Sequence, residues 1–223
     1  MAVESPGASG LESALLTPPM LIEKQIGGFV LAGGKSSRMG SDKASLEIAG
    51  ASLIARAVRL LESVTGNPTI IASTSRYSSL GAPVVADDWP DCGPLGGIAT
   101  VLRESKTPRN LIIACDLPYL TKAWLDFLVG RALKSSAEAV VPMNERGPEP
   151  LCAVYHKNAE NRIRAGVEGG VRKVTDSFAS IRVEYLEPSE WKGFDSEGLL
   201  FKNINSPADY EEAKARFSAQ AKP

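Results

Sequence analysis

The chain has 223 residues, with 25 Lys plus Arg against 26 Asp plus Glu and a formal charge of -1. That balance excludes the broad positive field by which nucleic-acid and anionic-membrane binders work, so any phosphate recognition has to be local to a pocket for a small substrate. At 43% hydrophobic residues one domain around one core is expected, since chains split into several cores only above roughly 250 residues.

Residues 1–24 are rich in small residues and Pro and hold neither the basic start nor the unbroken apolar run of a signal peptide or membrane span. They are expected to form a flexible extension; a short amphipathic helix around Leu11 to Leu16 that docks on a partner is the alternative. A single domain should occupy residues 25–217, with 218–223 as a tail. Strands are expected at Ile26–Ala32, Thr69–Ser73, Pro83–Ala86, Asn110–Cys115, Ala137–Pro142, Leu151–Tyr155 and Ile181–Tyr185. Between them, Leu53, Ile54, Ala57, Val58 and Leu61 share one helical face, Leu95, Ile98, Val101 and Leu102 a second, and Trp124, Leu125, Leu128 and Ala132 a third behind Thr121 as N-cap. A last helix starts at Pro207 behind Ser206 and reaches about Ala219. This alternation predicts an α/β fold, a three-layer α/β/α Rossmann-like arrangement whose central sheet is mainly parallel. In such sheets ligands sit beyond the carboxyl ends of the strands.

The unusual residues fall at those ends. After the first strand the chain reads Leu31-Ala32-Gly33-Gly34, then Arg38, Gly40 and Lys43. Paired glycines let the backbone turn its N–H groups toward phosphate oxygens, and the two cations suit a polyphosphate. The spacing excludes a P-loop, because the position five before Gly34 is Phe29, and no G-x-G-x-x-G follows. After the third strand come Asp87 and Asp88, then Asp91, Gly93-Pro94 and the pair Gly96-Gly97, which would let the backbone approach a base or ribose with Asp87 as acceptor; read structurally, this is an acidic loop with good turn chemistry. Asp116 tips the apolar run Leu111–Cys115, where a Mg²⁺ bridging nucleotide phosphates would bind. Near the end, Asn203 and Asn205 share a face if extended, though by themselves they read as turn and cap residues, and Arg172-Lys173 follow a Gly turn, suited to a second phosphate-bearing substrate or to a solvated helix start.

Three widely spaced cysteines, Cys92, Cys115 and Cys152, with no CxxC argue against a disulfide framework or structural zinc and fit a reducing, cytoplasmic compartment. The lone His156 suits a surface or strand end, and without a G-x-S-x-G elbow a hydrolase triad is not expected.

In order, LAGGKSSRMGSDK, DDWPDCGPLGG, CDLP, EPLCAVY, GGVRKV and FKNINSPADY resemble the molybdenum cofactor guanylyltransferase (MobA-type) family of nucleotidyltransferases over about residues 26–217. Gly33, where the related cytidylyl enzymes more often carry Ala, favours guanine. The resemblance implies transfer of GMP from GTP to the terminal phosphate of Mo-molybdopterin with Mg²⁺, yielding Mo-molybdopterin guanine dinucleotide and pyrophosphate. It implies GTP contacts from Leu31, Ala32, Gly33, Gly34, Lys43 and Asp87, with Asp116 on both Mg²⁺ and nucleotide. Arg38, Lys43 and Asp116 would be catalytic, and Arg172, Lys173, Asn203 and Asn205 would face the molybdopterin. Where some members place an Asn contact after the second strand, this chain reads Ser73-Thr74-Ser75-Arg76. The implied partners are the two substrates and molybdoenzyme apoproteins or other cofactor-biosynthesis proteins, with no nucleic acid and no membrane. Rival readings are cytidylyl or other nucleotidyl transfer to molybdopterin or to a sugar or alditol phosphate, and a non-catalytic nucleotide or pterin carrier.

Overall fold

The computed structural model describes residues 25–33, 42–72 and 75–220; the expected extension at 1–24 lies outside them. Strand β1 (Ile26–Leu31) opens a sheet completed by β4 (Thr69–Ala72), β5 (Val84–Ala86), β6 (Arg109–Ala114), β7 (Ala139–Asn144), β9 (Cys152–His156) and β10 (Val183–Leu186). Their order is β10-β7-β9-β6-β1-β4-β5. The neighbours run parallel except around β9, which is antiparallel to both β6 and β7. The short strand β8 (Gly147–Pro148) folds back on β7, and β2 (Glu47–Ile48) with β3 (Ala51–Ser52) makes a separate hairpin. The expected strands are all present, with ends displaced by one or two residues.

Period-two alternation gives the sheet two apolar faces. Val30, Leu111, Ile113, Val140 and Val154 point to one face, covered by α1 (Leu53–Thr65) and α3 (Lys122–Lys134). Leu31, Ile112, Val141, Ala153 and Tyr155 point to the other, covered by α2 (Gly93–Glu104) and α4 (Glu160–Glu168). The predicted helical faces are the buried ones, and Thr121 caps α3 by accepting from the Trp124 N–H at 3.2 Å. Helix α4 was not expected, because only Ile163 and Val167 of its nine residues are buried. Short helices α5 (Val174–Ser177) and α6 (Pro188–Trp191) flank β10. Helix α7 (Pro207–Gln220) runs three residues past the expected domain end at 217.

Buried Trp124 anchors the first face: it packs against Trp191, Phe194 and Phe201, and its indole N–H donates to the Cys152 sulfur at 3.3 Å. Lys157, just past β9, closes the far end of α2 by donating to the carbonyls of Leu102, Arg103 and Ser105, the helix end whose partial negative charge favours a cation. His156 ends β9, where its Nδ1 accepts from the Asn158 N–H at 3.1 Å, a strand-end role as expected.

From β1 the chain steps outward to β4 and β5, then crosses by way of α2 to β6 on the other side of β1. The crevice between the carboxyl ends of β1 and β6 is therefore the switch point where open α/β sheets bind ligands. Leu31 and Ala114 are paired there.

Candidate active site

Beyond β1, Ala32 still donates to the Ile71 carbonyl at 2.9 Å, while Cys115 donates to the Leu31 carbonyl at 3.2 Å. The ladder thus carries Ala32 and Asp116 to the same rim. A Cβ built on Gly33 meets nothing within 4 Å among the described residues, so its surroundings leave room for close approach by a ligand. Gly34, Arg38, Ser73 and Thr74 lie outside the described residues.

Three sequence-predicted residues meet at the rim. The Lys43 Nζ donates to Asp116 Oδ2 at 2.6 Å and to Asn205 Oδ1 at 2.9 Å. Lys43 opens a single 3₁₀ turn capped by Asp42, whose Oδ1 accepts from the Ala44 N–H at 3.2 Å. Asp42 Oδ2 in turn accepts from Tyr77 OH at 2.5 Å and from Ser45 Oγ at 3.1 Å. Asp42 therefore fixes the turn from which Lys43 extends. Asn205 is delivered by a strut: Ile204 is buried in a small cluster with Ile48, Leu53 and Ala213, and its N–H donates to the Asp116 carbonyl at 3.0 Å. Ser206 caps α7 as expected, accepting from the Asp209 N–H at 3.2 Å while Asp209 Oδ2 accepts from the Ser206 N–H at 2.8 Å. The Ser206 hydroxyl, donating to Asp209 Oδ2 at 2.8 Å, and then the Asn205 N–H at 3.0 Å hold the Asp209 carboxyl below its usual range. Asn203 is half-buried one residue before Ile204.

Asp116 is split in its bonding. Oδ2 takes Lys43, whereas Oδ1 is buried with no hydrogen-bond partner among the described residues. An orphaned carboxylate oxygen at a ligand crevice fits a hard cation, which prefers oxygen donors. Among the described residues no group of three or more His, Cys, Asp or Glu side chains gathers to cage a metal. A cation there would take most of its shell from substrate oxygens and water, as Mg²⁺ commonly does. Burial pushes the Cys115 and Cys152 thiols up to about 12, so neither of these two is poised as a thiolate nucleophile.

The acidic loop is arranged differently from expectation. Asp87 Oδ1 accepts from the Trp89 N–H at 2.9 Å and from Thr100 Oγ1 at 3.1 Å, and Asp88 pairs with Arg103 at 2.9 Å. The Gly96-Gly97 pair, expected to admit a base or ribose, lies inside α2 and is buried. A Cβ on Gly96 would sit 2.4 Å from the Trp89 carbonyl oxygen, and one on Gly97 would meet Leu31 at 3.2 Å. These glycines serve the packing of α2 against its own loop and β1. Arg172 and Lys173 are exposed after α4, and Arg172 Nη1 donates to the carbonyls of Val167 and Val171 at 3.0 and 2.9 Å. That bond closes the end of α4 and holds the Arg172-Lys173 turn, whose Arg172 carbonyl lies 4.0 Å from a Cβ built on Gly93.

One acidic residue at the rim was not singled out from the sequence. The β6–β9 register pairs Ile113 with Cys152, and the Ala114 N–H donates to the Leu151 carbonyl at 2.9 Å. Beyond that pair both chains turn away from the ladder, the Cys152 N–H donating to the Glu149 carbonyl at 3.1 Å, and the turn brings the Glu149 carboxyl close enough to feel the Asp116 charge. Burial pushes the Glu149 carboxyl up to about 7, the nearby Asp116 charge adding to the rise while an Asn144 hydrogen bond and Arg146 oppose it.

The sequence profile of the MobA-like NTP transferase domain matches residues 28–182. A probable molybdenum cofactor guanylyltransferase from Carboxydothermus hydrogenoformans is 33% identical over 191 residues, covering 85% of this chain and 95% of the relative. A molybdenum cofactor guanylyltransferase from Desulfosudis oleivorans is 30% identical over 194 residues, covering 86% and 96%. In structure, molybdopterin-guanine dinucleotide biosynthesis protein A from Archaeoglobus fulgidus superposes with a TM-score of 0.76 at 24% identity, over 86% of this chain and 98% of that one. A CMP:2-keto-3-deoxy-manno-octonic acid synthetase complexed with CTP shares the fold at TM-score 0.67 and 11% identity, over 88% and 99%. With its profile match, its relatives and its Rossmann-like nucleotidyltransferase fold all in agreement, the chain belongs to the family of MobA-like NTP transferase domains.

Proposed function

We propose that this chain is a Mg²⁺-dependent molybdenum cofactor guanylyltransferase, transferring GMP from GTP to the terminal phosphate of Mo-molybdopterin and releasing pyrophosphate. The observation that carries this reading is the convergence of Lys43, Asp116 and Asn205 at the β1–β6 switch point, with Asp116 Oδ1 unpartnered among the described residues. The names of the guanylyltransferase relatives support the choice of GTP and molybdopterin.

The chemistry asks for positioning and charge neutralisation more than for a covalent intermediate. An oxygen of the acceptor's terminal phosphate attacks the α-phosphorus of GTP in line; a P–O bond forms there as the bond to the pyrophosphate oxygen breaks. The backbone of Leu31, Ala32, Gly33 and Gly34 cradles the nucleotide, with Asp87 accepting from the nucleoside. Lys43 and Arg38 stabilise negative charge growing on the leaving pyrophosphate. Asp116 would hold the Mg²⁺, which when bound supplies Lewis-acid neutralisation of the phosphate oxygens. Asn203, Asn205, Arg172 and Lys173 take the molybdopterin side. The product passes to molybdoenzyme apoproteins, and the three free thiols fit a cytoplasmic setting. No helix among the described residues is long and apolar enough to cross a membrane.

The test is pyrophosphate release by the purified chain given GTP and molybdopterin, with Mg²⁺ or with EDTA. Release that requires both substrates and stops with EDTA supports the reading. GTP binding without release would leave a carrier, and release unaffected by EDTA would remove the metal.

A further inference from the structure

Glu149 stands at the reaction rim because β9 is the one antiparallel strand within the central row of the sheet. The parallel strands deliver their carboxyl ends to the ligand crevice, whereas β9 delivers its amino end, Glu149-Pro150-Leu151, beside the end of β6. Glu149 opens the turn that leads into β9, its carbonyl accepting from the Cys152 N–H at 3.1 Å, and its carboxyl lies within reach of the Asp116 charge. The nucleotide elements, β1 and the Asp87 loop after β5, lie on the other side of Asp116 from β9. In-line transfer brings the acceptor to the α-phosphorus from the side opposite the leaving group, so the β9 side is left for the acceptor.

The Glu149 carboxyl is half-buried and held by the Asn144 amide, and no ion pair engages it among the described residues. Asn144 Oδ1 is itself tied to the Arg146 N–H at 2.7 Å, so the amide that orients Glu149 is fixed from behind by the β7–β8 turn. A carboxylate oriented but not neutralised by its own protein repels a phosphate and attracts N–H donors. A pterin ring offers such donors side by side, an amino group next to a ring N–H, at a spacing that two carboxylate oxygens match.

We propose that Glu149 is a specificity-determining residue of the acceptor half of the site, accepting N–H donors from the ring of a pterin whose phosphate is the attacking group. This inference rests on the guanylyltransferase reading and adds to it the group that selects the acceptor.

The experiment is Glu149→Gln in the full chain, a near-isosteric change that keeps an amide partner for Asn144 and removes the charge. Initial rates are measured with molybdopterin varied at saturating Mg²⁺ and GTP, GTP affinity is measured by calorimetry, and melting confirms the fold. The expected result is a KM for molybdopterin raised about tenfold to a hundredfold, the scale for losing a hydrogen bond to a charged group, with kcat and GTP affinity within about twofold of wild type. Glu149→Asp, which keeps the charge at shorter reach, should recover part of the loss. Weakened GTP affinity would assign Glu149 to the guanine instead, a fall in kcat at unchanged KM would assign it to the chemical step, and no change would leave it without a role; each overturns the proposal. A wild-type protein that releases no pyrophosphate with molybdopterin would bring down the acceptor assignment itself, a result separable from any effect of the variant.

Discussion

Lys43 and Asp116, 73 residues apart in sequence, meet at 2.6 Å where the carboxyl ends of β1 and β6 adjoin, and the same ammonium reaches Asn205 at 2.9 Å. The two side chains are only 18% and 19% exposed, so the pair is shielded enough for its charges to act on a bound ligand with little screening. Each partner arrives on a separately stabilised piece of chain: the turn capped by Asp42, the tip of β6, and the strut pinned by Ile204.

Lys43→Ala and Asp116→Ala are each expected to lower kcat by on the order of 100-fold to 1000-fold, the scale found when one preorganised charge or donor is removed from a transition state. Both should retain the wild-type circular dichroism spectrum, since neither side chain contributes to the two large apolar faces. Pyrophosphate release is the readout, and turnover at the wild-type rate in either variant would refute the assigned role.

Two glycines in helices should respond in opposite directions to Ala. Gly96→Ala drives a Cβ into the Trp89 backbone and is expected to destabilise the fold by about 1–3 kcal/mol despite the better helix former. Gly130, in the middle of α3 with nothing within 4 Å of a built Cβ, should gain about 0.4–1 kcal/mol on the same change. Urea melts of the two variants distinguish these outcomes by the sign of the midpoint shift.

Glu149→Gln should change stability in a pH-dependent way. Because the folded-state pKa is raised, from 4.5 to about 7, the folded protein holds its proton more tightly than the unfolded chain, so this contribution to stability is present below about 4.5 and is lost as pH rises through 7. The neighbouring Asp116 charge worsens that loss, and Arg146 and Asn144 soften it. The variant should therefore melt higher than wild type at pH 8, by a margin that shrinks toward pH 5, as read by calorimetry at the two pH values. His156, whose pKa is lowered by burial and by Arg109, acts oppositely in both proteins, taking stability away as pH falls below 6.5, so the comparison is made variant against wild type at each pH.

Lys157→Ala removes the cation that closes the end of α2 and should cost about 1 kcal/mol in urea melts. It follows the carboxyl end of the antiparallel strand β9, at the opposite edge of the sheet from Asp116, and turnover should be unchanged.

The strands and the first three apolar helices were legible because their periods of two and 3.6 are carried by Ile, Val and Leu at regular positions. Helix α4 was hidden by its surface: two buried residues, Ile163 and Val167, are too few to register against charged neighbours. The hairpin of β2 and β3 has two-residue strands and turns through Ala49 at φ 48°, a conformation for which an alanine gives no signal. Asp116 was legible as a carboxylate at a strand end and Lys43 as a cation behind the paired glycines, whereas Asn205 stood out only through the family resemblance. Gly96 and Gly97 were misleading, because a glycine that admits a ligand and one that admits a backbone carbonyl look alike in sequence. Glu149 opens the EPLCAVY stretch, but its place near Asp116 follows from the antiparallel insertion of β9, which depends on tertiary pairing.

Guanylyl transfer from this site is tested most directly by incubating the purified chain with molybdopterin, Mg²⁺ and equal GTP, CTP, ATP and UTP, with mass spectrometric identification of the dinucleotide formed. The expected product is the guanine dinucleotide with stoichiometric pyrophosphate, abolished in Asp116→Ala. A cytosine dinucleotide as the main product, or no dinucleotide from any of the four, would contradict it.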